Sequence, residues 1–164
     1  MQTVIRPLKP TEIPLLRDFL YEAIFLPEGV EPPPKSIIEQ PDLRVYYEEF
    51  GQSPHDRALA AEVGGKIIGM VWTRIMHDYG HIDDETPSFA IALYKEYRGQ
   101  GIGTRLMQEM LTLLQNAGYA KCSLSVQKAN PAARLYRRLG FETVEETDEE
   151  YLMIYRNKKE RSGC

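Results

Sequence analysis

Between Arg98 and Thr104 the chain reads Arg-Gly-Gln-Gly-Ile-Gly-Thr, with three glycines in five residues where a helical pattern begins. A helix start leaves several backbone N–H groups without intrahelical partners. The partial positive charge there adds to them, so the segment is equipped to hold an anion without a lysine. Gly99, Gly101 and Gly103 permit positive φ and close approach of a bulky phosphate. The same glycines would also let a helix pack tightly on a sheet. Arg98 can add charge-assisted bonds or anchor the loop. Tyr136 is a second residue with chemistry to offer: free tyrosine titrates near ~10, so at neutral pH it holds a proton it can donate. It can equally serve as a core aromatic beside Leu139 and Phe141. A matching proton acceptor is less defined. Glu22 and Glu28 lie near the first helices, and His77, His81, Asp83, Asp84 and Glu85 share one polar loop that also reads as a solvated turn.

Several anions are excluded. A P-loop requires Gly-Lys-Ser/Thr, whereas Gly103 is followed by Thr104 and Arg105. A dinucleotide site places its glycines after a first strand, with an acidic residue about 20 positions on; here the loop follows a fourth strand and Ala120, Lys121 and Cys122 stand there. A net charge of −4 over 164 residues argues against nucleic acid as a partner, because phosphate neutralisation needs clustered cations. The two cysteines, Cys122 and Cys164, do not suggest a disulfide framework, and no Cys/His cluster has zinc spacing, so no metal is expected. No apolar run approaches the ~20 residues of a membrane span, and no secretory leader is apparent. The expectation is a cytoplasmic protein with no membrane partner.

The elements that must position these residues are legible from periodicity. A strand over 3–6 precedes a helix that Thr11 could cap, with Leu15, Leu16, Phe19, Leu20, Ala23 and Ile24 on one face. Pro32-Pro33-Pro34 interrupts, and a second helix is expected over 41–50. Gly64-Gly65 joins strands 57–63 and 66–75 as a tight hairpin. A polar loop, 76–87, leads into the apolar strand 88–94, as expected of a buried central position. Helix 101–117 ends at Gly118, strand 121–126 follows, and helix 131–139 ends at Gly140. A hairpin, 141–145 and 151–155, closes the domain around the acidic run Glu145, Glu146, Asp148, Glu149 and Glu150, read as a solvated tip. The domain is assigned to 1–157 with a polar tail at 158–164. The order predicts an α/β (α+β) domain: a mixed, mostly antiparallel seven-stranded sheet flanked by about four helices, its one parallel pair being strands 88–94 and 121–126.

Two motifs carry a resemblance. Arg98-Gly99-Gln100-Gly101-Ile102-Gly103 resembles the Arg/Gln-x-x-Gly-x-Gly/Ala loop of the GCN5-related N-acetyltransferase (GNAT) superfamily. Asn130-Pro131-Ala132-Ala133-Arg134-Leu135-Tyr136-Arg137-Arg138-Leu139-Gly140-Phe141 resembles that family's second signature, in the family order. The resemblance implies acetyl-CoA as cosubstrate and a primary amine of a small molecule as acceptor; protein acetylation and non-catalytic acyl-CoA sensing are the alternatives. It further implies that residues 98–104 (Arg98, Gly99, Gln100, Gly101, Ile102, Gly103 and Thr104) grip pyrophosphate. A bulged central strand would splay from its neighbour, and its main chain at Ile91, Leu93 and Tyr94 would pair with pantetheine. Leu93 would offer an oxyanion N–H, Tyr136 would protonate the leaving thiolate, and Asn130 and Ala133 would adjoin the cofactor. Asn130 is also a good helix cap. The acceptor pocket is expected from residues 21–47 and 76–87, with Phe25, Tyr46, Tyr47 and Tyr79 as aromatic walls and Glu28 as cation partner. A base acting through ordered water is the default, and a homodimer is compatible with the exposed sheet edges.

Overall fold

The computed structural model describes residues 2–157; the tail expected at 158–164 lies outside them. Strands β1 (Thr3–Pro7), β2 (Arg57–Val63), β3 (Lys66–Arg74), β4 (Ser88–Leu93), β5 (Lys121–Gln127), β6 (Glu142–Glu146) and β7 (Glu150–Arg156) form one sheet. Their order is β1-β2-β3-β4-β5-β7-β6. Every neighbouring pair is antiparallel except β4 and β5, as the sequence order implied. Gly64 and Gly65 adopt φ of 58° and 82°, as the two-residue hairpin between β2 and β3 requires.

Helices cover both faces. α1 (Leu15–Ala23) lays Leu16, Phe19 and Leu20 on Met70, Trp72, Ala90 and Ala92. On the opposite face α3 (Ile102–Asn116) buries Leu106, Met107, Met110 and Leu114 against Leu59, Val71 and Leu124. The short helix α4 (Ala132–Leu139) ends on Gly140 at φ 114° and adds Ala133 and Tyr136 to that core.

Two local expectations are corrected. Thr11 does not cap α1: residues 10–12 form a 3-10 turn in which the Glu12 carboxylate accepts the Lys9 N–H at 2.8 Å and pairs with Arg6 at 2.8 Å. Nor does a helix run from 41 to 50. α2 stops at Arg44 and turns follow to Gly51. The cause lies on β3. Trp72 Nε1 donates to the Tyr46 carbonyl at 2.8 Å, and Arg74 donates to the carbonyls of Val45 at 3.1 Å and Glu48 at 2.8 Å. These carbonyls are drawn to side chains instead of a helical ladder, and Tyr46 is thereby fixed against the sheet.

Arg74 also forms a two-pronged bond with Asp56, 3.1 Å on each side, and the Asp56 side chain is 1% exposed. Removing one partner leaves the other charge buried and uncompensated, which costs about 3–5 kcal/mol. Asp56→Asn is therefore expected to lower unfolding free energy by about 3 kcal/mol in urea titrations. An effect below about 0.5 kcal/mol, the range of ordinary surface changes, would contradict this role.

Candidate active site

β4 and β5 are registered through a single pair, Ser88 with Ser123. Ser123 N donates to Pro87 O at 3.0 Å, and Ser123 Oγ donates to Gly80 O at 2.6 Å. Past that point the two strands part. Antiparallel pairing alternates the direction of main-chain groups. Tyr94 N donates to Ile68 O at 2.9 Å, so Ala90, Ala92 and Tyr94 face β3, while Ile91 and Leu93 present their main chain toward the parted side. Tyr94 is thus removed from the expected main-chain donors; its ring packs on Phe19 at 4.8 Å instead. The expected bulge in β4 is absent too. Its register with β3 is continuous from Ser88 to Leu93, and the opening arises on the β5 side.

The opening is a cleft of about 380 Å³, bordered on β4 by Phe89, Ala90 and Ile91 and on β5 by Leu124, Ser125, Val126 and Gln127. Asn130 and Tyr136 enter from the α4 side. Asn130 Oδ1 accepts the Ala132 N–H at 2.9 Å, so it caps α4 while bordering the cleft. Ala133 is buried in the core and does not border the cleft. Burial pushes the Tyr136 hydroxyl up to about 12, so it stays protonated at neutral pH. Its ring meets Phe141 edge-on at 6.0 Å.

At the glycine turn, Gly99 has φ 75° and Gly101, immediately before α3, has φ 85°. A Cβ at either would meet nothing within 4 Å. These glycines serve backbone shape and leave open space before the helix, rather than close packing. Gly101 O accepts the Arg105 N–H at 3.1 Å, which leaves the amides of Ile102, Gly103 and Thr104 as the first-turn donors. Gly103 differs, because a Cβ there would touch Leu93 Cδ1 at an ordinary 3.6 Å. Arg98 anchors the turn: Nε donates to Leu93 O at 3.0 Å, and the guanidinium reaches Glu22 O at 3.2 Å and its carboxylate at 3.7 Å. Gln100 ties back to Glu96 O at 3.1 Å.

The far end of the cleft is bordered by Phe25, Ile37, Asp42, Tyr46, Tyr79 and Glu150. Tyr79 donates to Asp42 Oδ2 at 2.5 Å, linking the loop before β4 to α2. Ser125 Oγ donates to Glu150 Oε2 at 3.2 Å. Phe25, Tyr46 and Tyr79 thus border one cleft together, whereas Tyr47 turns away to donate to Ile38 O. Glu28 is exposed and outside the cleft. The cleft carboxylates are Asp42 and Glu150, both missed. Glu150 had been grouped with the acidic turn, yet it begins β7 opposite Gln127 and so faces the cleft. Of the expected bases, Glu22 is tied to Arg98 and Asp83 to Thr86 and Lys121. His77, His81 and Asp84 gather with one another, and none of these groups, nor Glu85, borders the cleft. Asp78, also missed, accepts from Ser88 Oγ at 2.9 Å and from the Tyr46 hydroxyl, and burial holds its carboxyl above the usual range.

Residues 21–141 match the acetyltransferase (GNAT) family, and the chain belongs to it. It is 30% identical over 110 residues to a mycothiol acetyltransferase of Pseudarthrobacter chlorophenolicus, covering 66% of this chain and 34% of that protein. The chain thus spans about a third of the length of that relative. It is also 30% identical over 98 residues to a putative ribosomal protein bS18-alanine N-acetyltransferase of Bacillus subtilis, covering 59% and 61% of the two chains. Among solved structures, the PaiA N-acetyltransferase of Thermoplasma acidophilum, in complex with coenzyme A, superposes with a TM-score of 0.69 at 20% identity. It matches 96% of this chain and 100% of its own. The Escherichia coli ribosomal-protein-S18-alanine N-acetyltransferase does so at 0.65 and 20% identity, over 94% of both chains. These neighbours share the fold. No helix among the described residues is long and apolar enough to cross a membrane.

The glycines separate fold from ligand. Gly101→Ala forces a side chain into the left-handed region, at a cost of about 1–2 kcal/mol, and is expected to weaken coenzyme A binding in calorimetry. Gly103→Ala meets no such strain and should leave the thermal midpoint within a few degrees of wild type. Equal destabilisation by both changes would contradict this division.

Proposed function

We propose that the protein is an acetyl-CoA-dependent N-acetyltransferase whose acceptor is the primary amine of a small molecule. The observation that carries the reading is the parting of β4 and β5, with Tyr136 on the wall of the cleft between them. The parted edge supplies the main chain of Ile91 and Leu93, and the start of α3 supplies three amides for a pyrophosphate. Arg98 holds these two parts together through Leu93 O.

In this reading Leu93 N–H stabilises the oxyanion formed when the amine nitrogen attacks the thioester carbonyl. As the carbon–sulfur bond breaks, Tyr136 gives its proton to the departing thiolate and is reprotonated from solvent. The amine must be neutral when it attacks, and the proton it sheds leaves toward Glu150 and Asp42. Those carboxylates, with Tyr46 and Tyr79, also suit an acceptor that approaches as a cation. The volume of about 380 Å³ lies in the range of small-molecule sites. The Tyr79–Asp42 link across the acceptor end favours a compact acceptor over a polypeptide.

The test is release of free coenzyme A thiol from acetyl-CoA with a panel of small amines and of peptides bearing free N-termini. Release with amines and not peptides is expected. Peptides as the better acceptors would replace this reading with protein acetylation, and release with neither, despite measured acetyl-CoA binding, would reject it. Tyr136→Phe should lower kcat by about 10²–10⁴-fold while leaving acetyl-CoA affinity within a few fold. Because burial pushes the phenol up to about 12, the wild-type rate is expected to show no fall from its ionisation between pH 7 and pH 10. An unchanged kcat in the variant would remove Tyr136 from the chemistry.

A further inference from the structure

The loop between β3 and β4 brings His77, His81 and Asp84 together, one ligand-capable atom from each within 4.8 Å of the others. The two imidazole rings lie against each other, tilted, with centroids 4.2 Å apart and planes inclined at 39°. His81 Nδ1 is 2.9 Å from the Met76 carbonyl, which can only accept, so Nδ1 carries the proton. In the neutral ring Nε2 then presents a lone pair, and it faces Asp84 Oδ1 at 3.8 Å. In that state two acceptors confront each other beyond hydrogen-bond distance, with a second imidazole alongside. A cation resolves that confrontation. Anchoring the far ring nitrogen on a main-chain carbonyl is also how metal-bound histidines are commonly oriented.

We propose that His77, His81 and Asp84 bind a divalent transition metal ion, of the zinc or cobalt class, outside the cleft. Two imidazoles and one carboxylate match the borderline preferences of these ions and not those of calcium or magnesium. Ligand atoms of a tetrahedral zinc site are about 3.3 Å apart. His77 and Asp84 are exposed, so small side-chain rotations bring the set to that spacing without moving the core. A fourth position remains for water. The site brackets Asp78 and Tyr79, whose bonds to Ser88 and Asp42 fix this loop to β4 and to α2. The ion therefore fastens the loop whose Tyr79 borders the cleft. This proposal stands independently of the acetyl-transfer reading.

The chain contains three histidines, and the third, His55, is bonded to the Tyr119 hydroxyl at 2.6 Å and serves as an internal reference. Chelator-stripped, untagged protein is titrated with Zn²⁺ while the imidazole NMR signals are followed, and with Co²⁺ while visible absorption is recorded. The expected result is one ion per chain at micromolar or tighter affinity. The His77 and His81 signals should shift and that of His55 should stay. Asp84→Asn should weaken Zn²⁺ binding by about 10-fold or more. His77→Ala with His81→Ala should abolish it, at an unchanged thermal midpoint in chelator. No saturable binding, or binding that leaves both histidine signals in place, overturns the proposal.

Discussion

One main-chain junction governs this molecule: the pairing of Ser88 with Ser123, where β4 and β5 touch once and then separate. Each strand keeps its other edge satisfied, β4 along β3 and β5 along β7. The facing edges are left with donors and acceptors that the sheet does not use. Unpaired main chain is expensive when buried, so such an edge must meet water or a ligand. The cleft is the consequence, and its position decides what the surrounding residues can do. α3 follows β4 after a short turn, and Arg98 on that turn bonds back to Leu93 O at the end of β4. α4 follows β5, which sets Tyr136 on the wall between.

The rest of the structure keeps that opening in shape. The loop before β4 closes on β5 through Ser123 Oγ and Gly80 O, and a side chain at Gly80 would press to 3.2 Å on the backbone of Leu124. On the other side, the buried Arg74 and Trp72 take carbonyls from the turn after α2 and hold Tyr46 against the sheet. A guanidinium with both prongs on Asp56 and two carbonyl acceptors satisfies its donors in a way an apolar residue could not. The cleft wall around Tyr46 is therefore built from β3 outward, by polar groups in the core rather than by helix propensity.

That division explains what the sequence disclosed. Local chemistry was legible: the Gly64-Gly65 turn, the apolar stripe of α3, the glycine stop at 140 and the glycine turn before α3 each depend on neighbours within a few residues. Long-range partners were not. The helix expected over 41–50 failed because Trp72 and Arg74, some 25 residues away, compete for its carbonyls. Glu28 looked suitable by proximity to α1, yet the loop carries it into solvent. Glu150 was absorbed into an acidic run, although its place opposite Gln127 on β7 turns it into the cleft. Asp42 and Asp78 gave no signal alone, because their partners Tyr79, Ser88 and Tyr46 come from other elements. Tyr94 shows the same limit at one residue's scale: strand alternation against β3, invisible without the register, sends its N–H away from the opening.

In the proposed reaction the parted edge of β4 and the start of α3 together hold the acyl donor with its thioester beside Tyr136. A crystal structure with coenzyme A bound tests this most directly. The expected result is the pyrophosphate on the amides of residues 102–104, the pantetheine arm along Ile91 and Leu93, and the sulfur within hydrogen-bonding reach of the Tyr136 hydroxyl. A coenzyme whose sulfur lies away from Tyr136, or whose arm leaves the β4 edge unpaired, would contradict it.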